Sequence, residues 1–329
     1  MSAKLFVLLR ARGENREHMK NQKLKGNMLL LLAALVWGVS FIAQSKGVET
    51  IPPATFNGVR SLLGAVVLLP VIALSDFWRK KSGLSVQKID KTLLVGGVVC
   101  GFFLCLASTL QTVGMLYTSP GKAGFITALY MIIIPIFGLL TGKRPRPVVL
   151  AAVAIAVVGM YLMCIDSAFS VNKGDVIIFV CAFLFAGHIL VINHFSPKVD
   201  GVKLSCAQFF VCGVLDLIFA LLFEQPQIGP ILSGWMSIGY AGVMSCGVAY
   251  TLQIVGQKYT DPTSASILMS LESVFSTLAT VILIACGWNL TGGSLNGREI
   301  FGCVLMFVAI LFVQLPEKSS AENRVESSC

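Results

Sequence analysis

Four ionisable residues stand deep inside apolar stretches of the chain: Arg60, His188, Asp216 and Glu272. A charge at the centre of a bilayer costs roughly 2.5 to 3.5 kcal/mol on insertion scales, so each must face a protein interior and find a partner there. Arg60 can hold the anionic group of a ligand, and Glu272 or Asp216 a cationic group or a coupling proton. The competing reading is a set of buried structural pairs that tie helices together. For Asp216 that structural role is the simpler one, and His188 reads as a core histidine, with a proton relay as the alternative. Other polar residues recur at helical spacing around these four. Trp37, Ser40 and Gln44 share one face of an apolar segment, and Ser205, Gln208, Cys212 and Asp216 share another. Cys246, Tyr250, Gln253 and Gln257 repeat the pattern, and Ser266, Ser270, Ser273 and Thr277 do so beside Glu272. Such stripes mark helices that line a polar pathway and set them apart from helices that face lipid.

The stripes need helices to carry them. Of 329 residues, 56% are hydrophobic and only 12% charged, against about 25% charged in a soluble globular domain. The lipid bilayer is therefore the chain's first partner. A helix needs about 20 apolar residues to cross the hydrocarbon core. Ten such segments can be counted, at about 27–46, 54–75, 92–115, 122–141, 147–165, 174–195, 203–223, 230–256, 263–286 and 299–315. The runs are continuous and not alternating, which favours helices over barrel strands. The fifth and tenth have almost no polar side chains and are expected at the periphery, against lipid or the second subunit of a homodimer. The ten cysteines are scattered, with no pair at the two-residue separation of a zinc or redox site. They read as small lipid-compatible side chains, and no metal or cofactor is expected.

A repeat organises these segments. Thr109-Leu110-Gln111-Thr112-Val113-Gly114 returns as Thr251-Leu252-Gln253-Ile254-Val255-Gly256, and Tyr117-Thr118-Ser119-Pro120 as Tyr259-Thr260-Asp261-Pro262, both offset by 142 residues. That offset lies far above the 20 to 50 residues of stacked solenoids and implies two duplicated halves. The expected units are a basic tail (1–26), a first five-helix repeat (27–165), a second (174–315) and a polar tail (316–329). Translation is expected to begin at Met19, or residues 1–18 to form a disordered basic tail. The fold class is an all-α polytopic membrane protein with ten transmembrane helices. An odd number of spans per half makes the two repeats inverted. Gln111 and Gln253, equivalent under the repeat, are expected to bond across the interface between halves. Positions where the copies diverge, such as Tyr130 against Glu272, are where specificity is expected.

Loop charge sets the orientation. The stretch before the first span (Lys20, Lys23, Lys25), the second loop (Arg79, Lys80, Lys81, Lys88, Lys91) and the fourth (Lys143, Arg144, Arg146) are strongly basic. The first, third and fifth loops hold little beyond Lys46, Lys122 and Lys173. Both termini are thus expected in the cytoplasm, with the protein in the plasma (inner) membrane. Lys122 reads as a side chain that snorkels to the interface, and Gly97 with Gly101 as a close helix contact. Pro120 with Gly121, and Pro262, are placed to start helices. The basic excess lies between apolar runs, so no nucleic-acid partner is expected. The pair Gly292-Gly293 matches no phosphate-cradling pattern, and no Gly-x4-Gly-Lys-Ser/Thr loop exists, which argues against a primary pump. An integral-membrane enzyme would need a convergent nucleophile, base or metal set; His188, Asn193 and His194 are the nearest candidates, and no carboxylate has metal-ligand spacing to them.

Four stretches carry a resemblance. They are Trp37-Gly38-Val39-Ser40-Phe41; Pro53, Phe56 and Arg60; Tyr117-Thr118-Ser119-Pro120-Gly121-Lys122-Ala123-Gly124-Phe125-Ile126-Thr127; and Ser270-Leu271-Glu272. In this order and spacing the chain resembles the EamA-like transporters of the drug/metabolite transporter superfamily, from Asn27 to Leu315. The resemblance implies two inverted five-helix repeats around a central cavity. It also implies secondary transport, often export, of amino acids or related metabolites by alternating access. Cationic drug-like compounds and nucleotide-sugar-like solutes are the alternative cargoes. Candidate substrate or coupling residues are Arg60, Glu272, Trp37, Gln44, Tyr130, His188, Asp216 and Tyr250, with a small-molecule substrate and proton coupling as the expected partners. The chain departs from the family pattern at Ser273, where proline is usual, and at Cys286-Gly287-Trp288.

Overall fold

The computed structural model describes residues 3–118, 120–140, 142, 145–164, 172–287 and 297–314. Expectations for Ser119, Lys143, Arg144, Trp288, Gly292-Gly293 and the tail 316–329 fall outside them. All regular structure among the described residues is helical: α1 (Ala3–Val48), α2 (Pro53–Lys81), α3 (Lys91–Met115), α4 (Pro120–Thr127), α5 (Tyr130–Leu140), α6 (Pro147–Cys164), α7 (Lys173–Phe195), α8 (Gly201–Phe223), the short α9 (Ile228–Ser233) and α10 (Trp235–Gly239), a π-helical stretch (Tyr240–Ala249), α11 (Tyr250–Gln257), α12 (Pro262–Met269), α13 (Glu272–Ala285) and α14 (Gly297–Gln314). Among the described residues eight helical segments are long and apolar enough to cross a membrane. The other two of the ten apolar segments form α6 and α14, of 18 residues each. Part of the expected N-terminal tail is helical, since α1 begins at Ala3, although the stretch able to span begins at Asn21.

Helix starts follow local chemistry. Asp90, Asp200 and Asp261 each accept a backbone N–H at the start of α3, α8 and α12, and Asn172 with Asp175 forms a capping box on α7. Prolines open α2, α4 and α12, where a missing N–H costs nothing. α2 lies along α8, α3 against α7 and α8, α1 against α13, α11 and the π-helical stretch, and α6 against α14. Gly97 and Gly101 make the close contact expected of them. A Cβ on Gly97 would lie 2.6 Å from Cβ of Ala207, and one on Gly101 2.7 Å from the carbonyl oxygen of Gln208.

The fourth and ninth spans run as Lys122–Leu140 and Pro262–Ala285, and each tightens for one turn in its middle. Leu129 and Ser273 donate to carbonyls three residues back, at Ile126 and Ser270, where Tyr130 and Glu272 open α5 and α13. The eighth span, expected as a plain helix, carries the π-helical stretch. Lys122 does not simply snorkel: its ammonium donates to the Asp175 carboxylate at 2.6 Å, and Thr118 donates to the same carboxylate at 2.9 Å. Thr260, 142 residues on from Thr118, donates to the side chain of Asn27 at 3.0 Å. At the two ends of the α2–α8 pair stand Lys203 on Asp76 at 2.8 Å, and Glu224 on the backbone N–H groups of Ala54 and Thr55 at 2.9 and 2.7 Å.

The α3–α8 contact yields a prediction. Gly101→Leu overpacks against backbone and should cost about 1–3 kcal/mol, read as a fall of several degrees in the melting midpoint in detergent at roughly 2–4 °C per kcal/mol. Gly239→Ala, where a Cβ meets nothing within 4 Å, should leave the midpoint unchanged.

Candidate functional site

α1, α2, α3, α7 and α11, with the fourth and ninth spans, converge on one concavity of about 480 Å³, counted together with the space open at its mouth. α1 supplies Trp37, Phe41 and Gln44, and α2 supplies Arg60. Gln111 comes from α3, Thr127 from α4 and Tyr130 from α5. α7 adds Phe185, His188 and Ile189, and the π-helical stretch adds Ser245. Tyr250 and Gln253 come from α11, Met269 from α12 and Glu272 from α13. Seven of the eight candidates named from sequence thus line one space. The eighth, Asp216, does not. Its carboxylate accepts from Thr109 at 2.5 Å, Cys105 at 3.2 Å and Cys212 at 3.3 Å, joining α3 to α8. Two cysteines are therefore hydrogen-bond donors to a buried carboxylate and not mere apolar fillers.

The cavity wall is unevenly satisfied. The Tyr130 hydroxyl donates to Glu272 at 3.2 Å, and a nitrogen of His188 pairs with the side-chain oxygen of Gln208 at 3.1 Å. The Gln44 amide donates to Ser40 at 3.2 Å. Trp37 meets Tyr250 edge-on with centroids 4.7 Å apart, which orients both rings. Five buried polar atoms on the wall have no hydrogen-bond partner among the described residues: Nε1 of Trp37, Nε of Arg60, Oε1 of Gln44, Oε1 of Gln253 and Nδ1 of His188. Buried polar groups are almost always paired, so such a cluster calls for an explanation. Arg60 is only 4% exposed. Its guanidinium lies 5.5 Å from the Phe56 ring centre, and among the described residues no carboxylate comes within salt-bridge distance. Asp216 is close enough to interact with it electrostatically without bonding to it.

Gln111 and Gln253 do not bond to each other. Gln111 donates to Thr127 at 3.0 Å, and both glutamines line the cavity instead. Sequence reasoning passed over Phe41, Thr127, Phe185, Ile189, Ser245 and Met269. A signal for several of them lies in the repeat. The wall holds three pairs of positions 142 residues apart (Gln111 and Gln253, Thr127 and Met269, Tyr130 and Glu272) and two pairs 148 apart (Trp37 and Phe185, Phe41 and Ile189). Among the described residues no three of His, Cys, Asp and Glu gather as metal ligands.

This arrangement has relatives. The chain is 29% identical to an uncharacterized transporter of Archaeoglobus fulgidus, over 89% of this chain and 87% of that protein. It is 21% identical to the uncharacterized inner membrane transporter YedA of Escherichia coli, over 85% and 88%. With the aromatic amino acid exporter YddG of Ancylobacter novellus it shares 23% identity over 80% and 89%. A protein of known crystal structure, 19% identical, superposes with a TM-score of 0.69 over 88% of this chain and 98% of its own, a likeness of fold. The EamA-like transporter family matches twice, over residues 24–165 and 172–315. Those two matches take in nearly all the described helices and every residue of the cavity wall: the chain is a multi-pass membrane protein that belongs to the EamA-like transporter family.

Proposed function

We propose that the protein is a secondary transporter, working as an exporter, of amino acids or similar zwitterionic metabolites. The observation that carries the reading is the unpaired, buried guanidinium of Arg60 in the same cavity as the Glu272 carboxylate. A carboxylate on Arg60 would supply the missing counter-charge, and an ammonium group would satisfy Glu272 and the open acceptors of Gln44, Gln253 and His188. Trp37, Phe41, Phe185 and Tyr250 suit an apolar or aromatic side chain, in keeping with the name of the YddG relative. A cationic drug-like compound would leave Arg60 unmatched, and a nucleotide-sugar-like solute brings more anionic charge than one arginine answers.

The mechanism we propose is alternating access between two inverted five-helix repeats. Support comes from the packing: exchanging each span with its counterpart five places on turns α1–α11 into α7–α3, and α2 with the π-helical stretch into α8–α3, while α2–α8 and α6–α14 return themselves. Tyr130 and Glu272, 142 residues apart, touch, and two counterparts related by a two-fold axis can meet only beside that axis. Both follow a tightened, i→i−3 bonded turn inside their spans, and such mid-helix turns often mark functional hinges. Glu272 then carries the coupling proton. Both termini are placed in the cytoplasm. On the opposite side Lys46 pairs with Glu49 at 2.9 Å, Lys122 with Asp175, and Lys173 and Arg298 lie against the rings of Tyr117 and Tyr161. On the cytoplasmic side Lys80, Lys88 and Lys91 have no carboxylate partner among the described residues, although Arg79 and Lys203 do. The outer faces of α6 and α14 meet lipid or a second copy.

Proteoliposomes test the reading. Removing a buried charge-assisted contact typically costs 2–5 kcal/mol, so Arg60→Ala should weaken uptake of phenylalanine about 100-fold or more, and Arg60→Lys less. Wild-type flux in Arg60→Ala, or equal flux of phenylethylamine and phenylalanine in the native protein, defeats the carboxylate assignment. Glu272→Gln should remove the dependence of flux on an imposed pH gradient. A native protein indifferent to that gradient would count against proton coupling. Asp216→Asn should instead lower the melting midpoint while leaving apparent affinity within a few-fold, because its partners lie outside the cavity.

A further inference from the structure

A second concavity lies on the flank of the bundle, away from the central cavity. It is an open groove of about 1740 Å³ between α2, α3 and α8, bounded at one end by the segment 82–90. Its walls are apolar, with Leu62, Val66, Leu69, Leu93, Leu94 and Phe210 among them, and Val66, Leu69, Leu94 and Phe210 are each more than half exposed. Leu62 and Asp76, both on its wall, are fourteen residues apart on α2, roughly 21 Å along a helix. A leaflet with its headgroup region is about half of the roughly 40–45 Å total thickness, so the groove has the depth of a leaflet.

The two ends of the groove differ in chemistry. The Asp76 end is ringed by cations. Lys88 and Lys203 line it, and Arg79, Lys80, Lys81 and Lys91 follow in the flanking turns. The carboxylates there are already engaged: Asp76 by Lys203, and Asp90 by the backbone N–H of Leu93. Lys80, Lys88 and Lys91 are exposed and have no hydrogen bond or ion pair among the described residues. Beside them Trp78 is 54% exposed, and an exposed tryptophan flanking a span belongs at the headgroup level. Apolar walls that end in unpaired cations at headgroup depth complement one kind of molecule. We propose that this groove binds an anionic phospholipid, an acyl chain along α2 and α8 and the phosphate on Lys88 with Lys80 and Lys91. The site is independent of the transport reading.

Native mass spectrometry of the full chain, released from detergent with added phosphatidylglycerol or phosphatidylcholine of the same acyl chains, tests it. Phosphatidylglycerol should be retained preferentially, with the preference falling about fivefold for each lysine changed to glutamine at positions 80, 88 and 91. Leu69→Trp, which fills the groove at an exposed position, should release both lipids. If the triple lysine variant does not fold, Lys88→Gln alone is read in the same way. Equal retention of the two lipids, an undiminished preference in the lysine variants, or full retention in Leu69→Trp overturns the proposal. Glycerol phosphate binding as well as the whole lipid would make the site one for free phosphate. A dimer that Leu69→Trp dissociates, with lipid retention unchanged, would assign the groove to a second copy.

Discussion

A guanidinium buried in a membrane protein is a permanent cation, and a buried cation needs an answering group. Several carboxylates of the bundle are answered locally: Asp175 by Lys122 and Thr118, Asp76 by Lys203, Glu224 by the start of α2, Asp216 by a threonine and two cysteines, and Glu272 by Tyr130. Arg60 faces the cavity with an aromatic ring against it and, among the described residues, no carboxylate bonded to it. The remaining architecture can be understood as what holds such a group in place. α2 is pinned along its length to α8 and to the π-helical stretch, so the guanidinium cannot swing away to water, and the cavity forms where it points.

Much of this was legible in the amino-acid order because hydrocarbon is an unforgiving solvent. Ionisable residues in apolar runs stand out there, and Arg60, Glu272 and His188 were found by that signal alone. Stripes at helical spacing found Trp37, Gln44 and Tyr250. The tightened turns at Ala128-Leu129 and Ser270-Leu271 were not legible, since these positions contain neither proline nor glycine. Asp216 was ambiguous as well. Its main donor, Thr109, lies 107 residues away, and cysteine thiols are weak donors that nobody would assign to a carboxylate from spacing. The fifth and tenth spans, with almost no polar side chains, form α6 and α14. They pack on each other, and lie outside the polar centre.

The two ends of the α2–α8 pair illustrate how divergence proceeds without loss of architecture. Asp76 and Glu224 lie 148 residues apart, as do Thr55 and Lys203. At one end a carboxylate meets an ammonium group, and at the other it meets two backbone N–H groups and a hydroxyl. The same pattern governs Thr118 with Asp175 and Thr260 with Asn27. Partners change class while the bond persists, because losing it would leave a polar group stranded.

The contact between Tyr130 and Glu272 has a consequence for ancestry. A chain that doubles begins with the same residue at both positions. Two glutamates facing each other would repel and be forced to share a proton, and two tyrosines would bring no charge at all. A lone carboxylate held by a hydroxyl at that place is open only to a chain whose copies have parted there. The departure from identity at this one pair thus lets a single carboxylate be held by a hydroxyl, where two acids would have to share a proton.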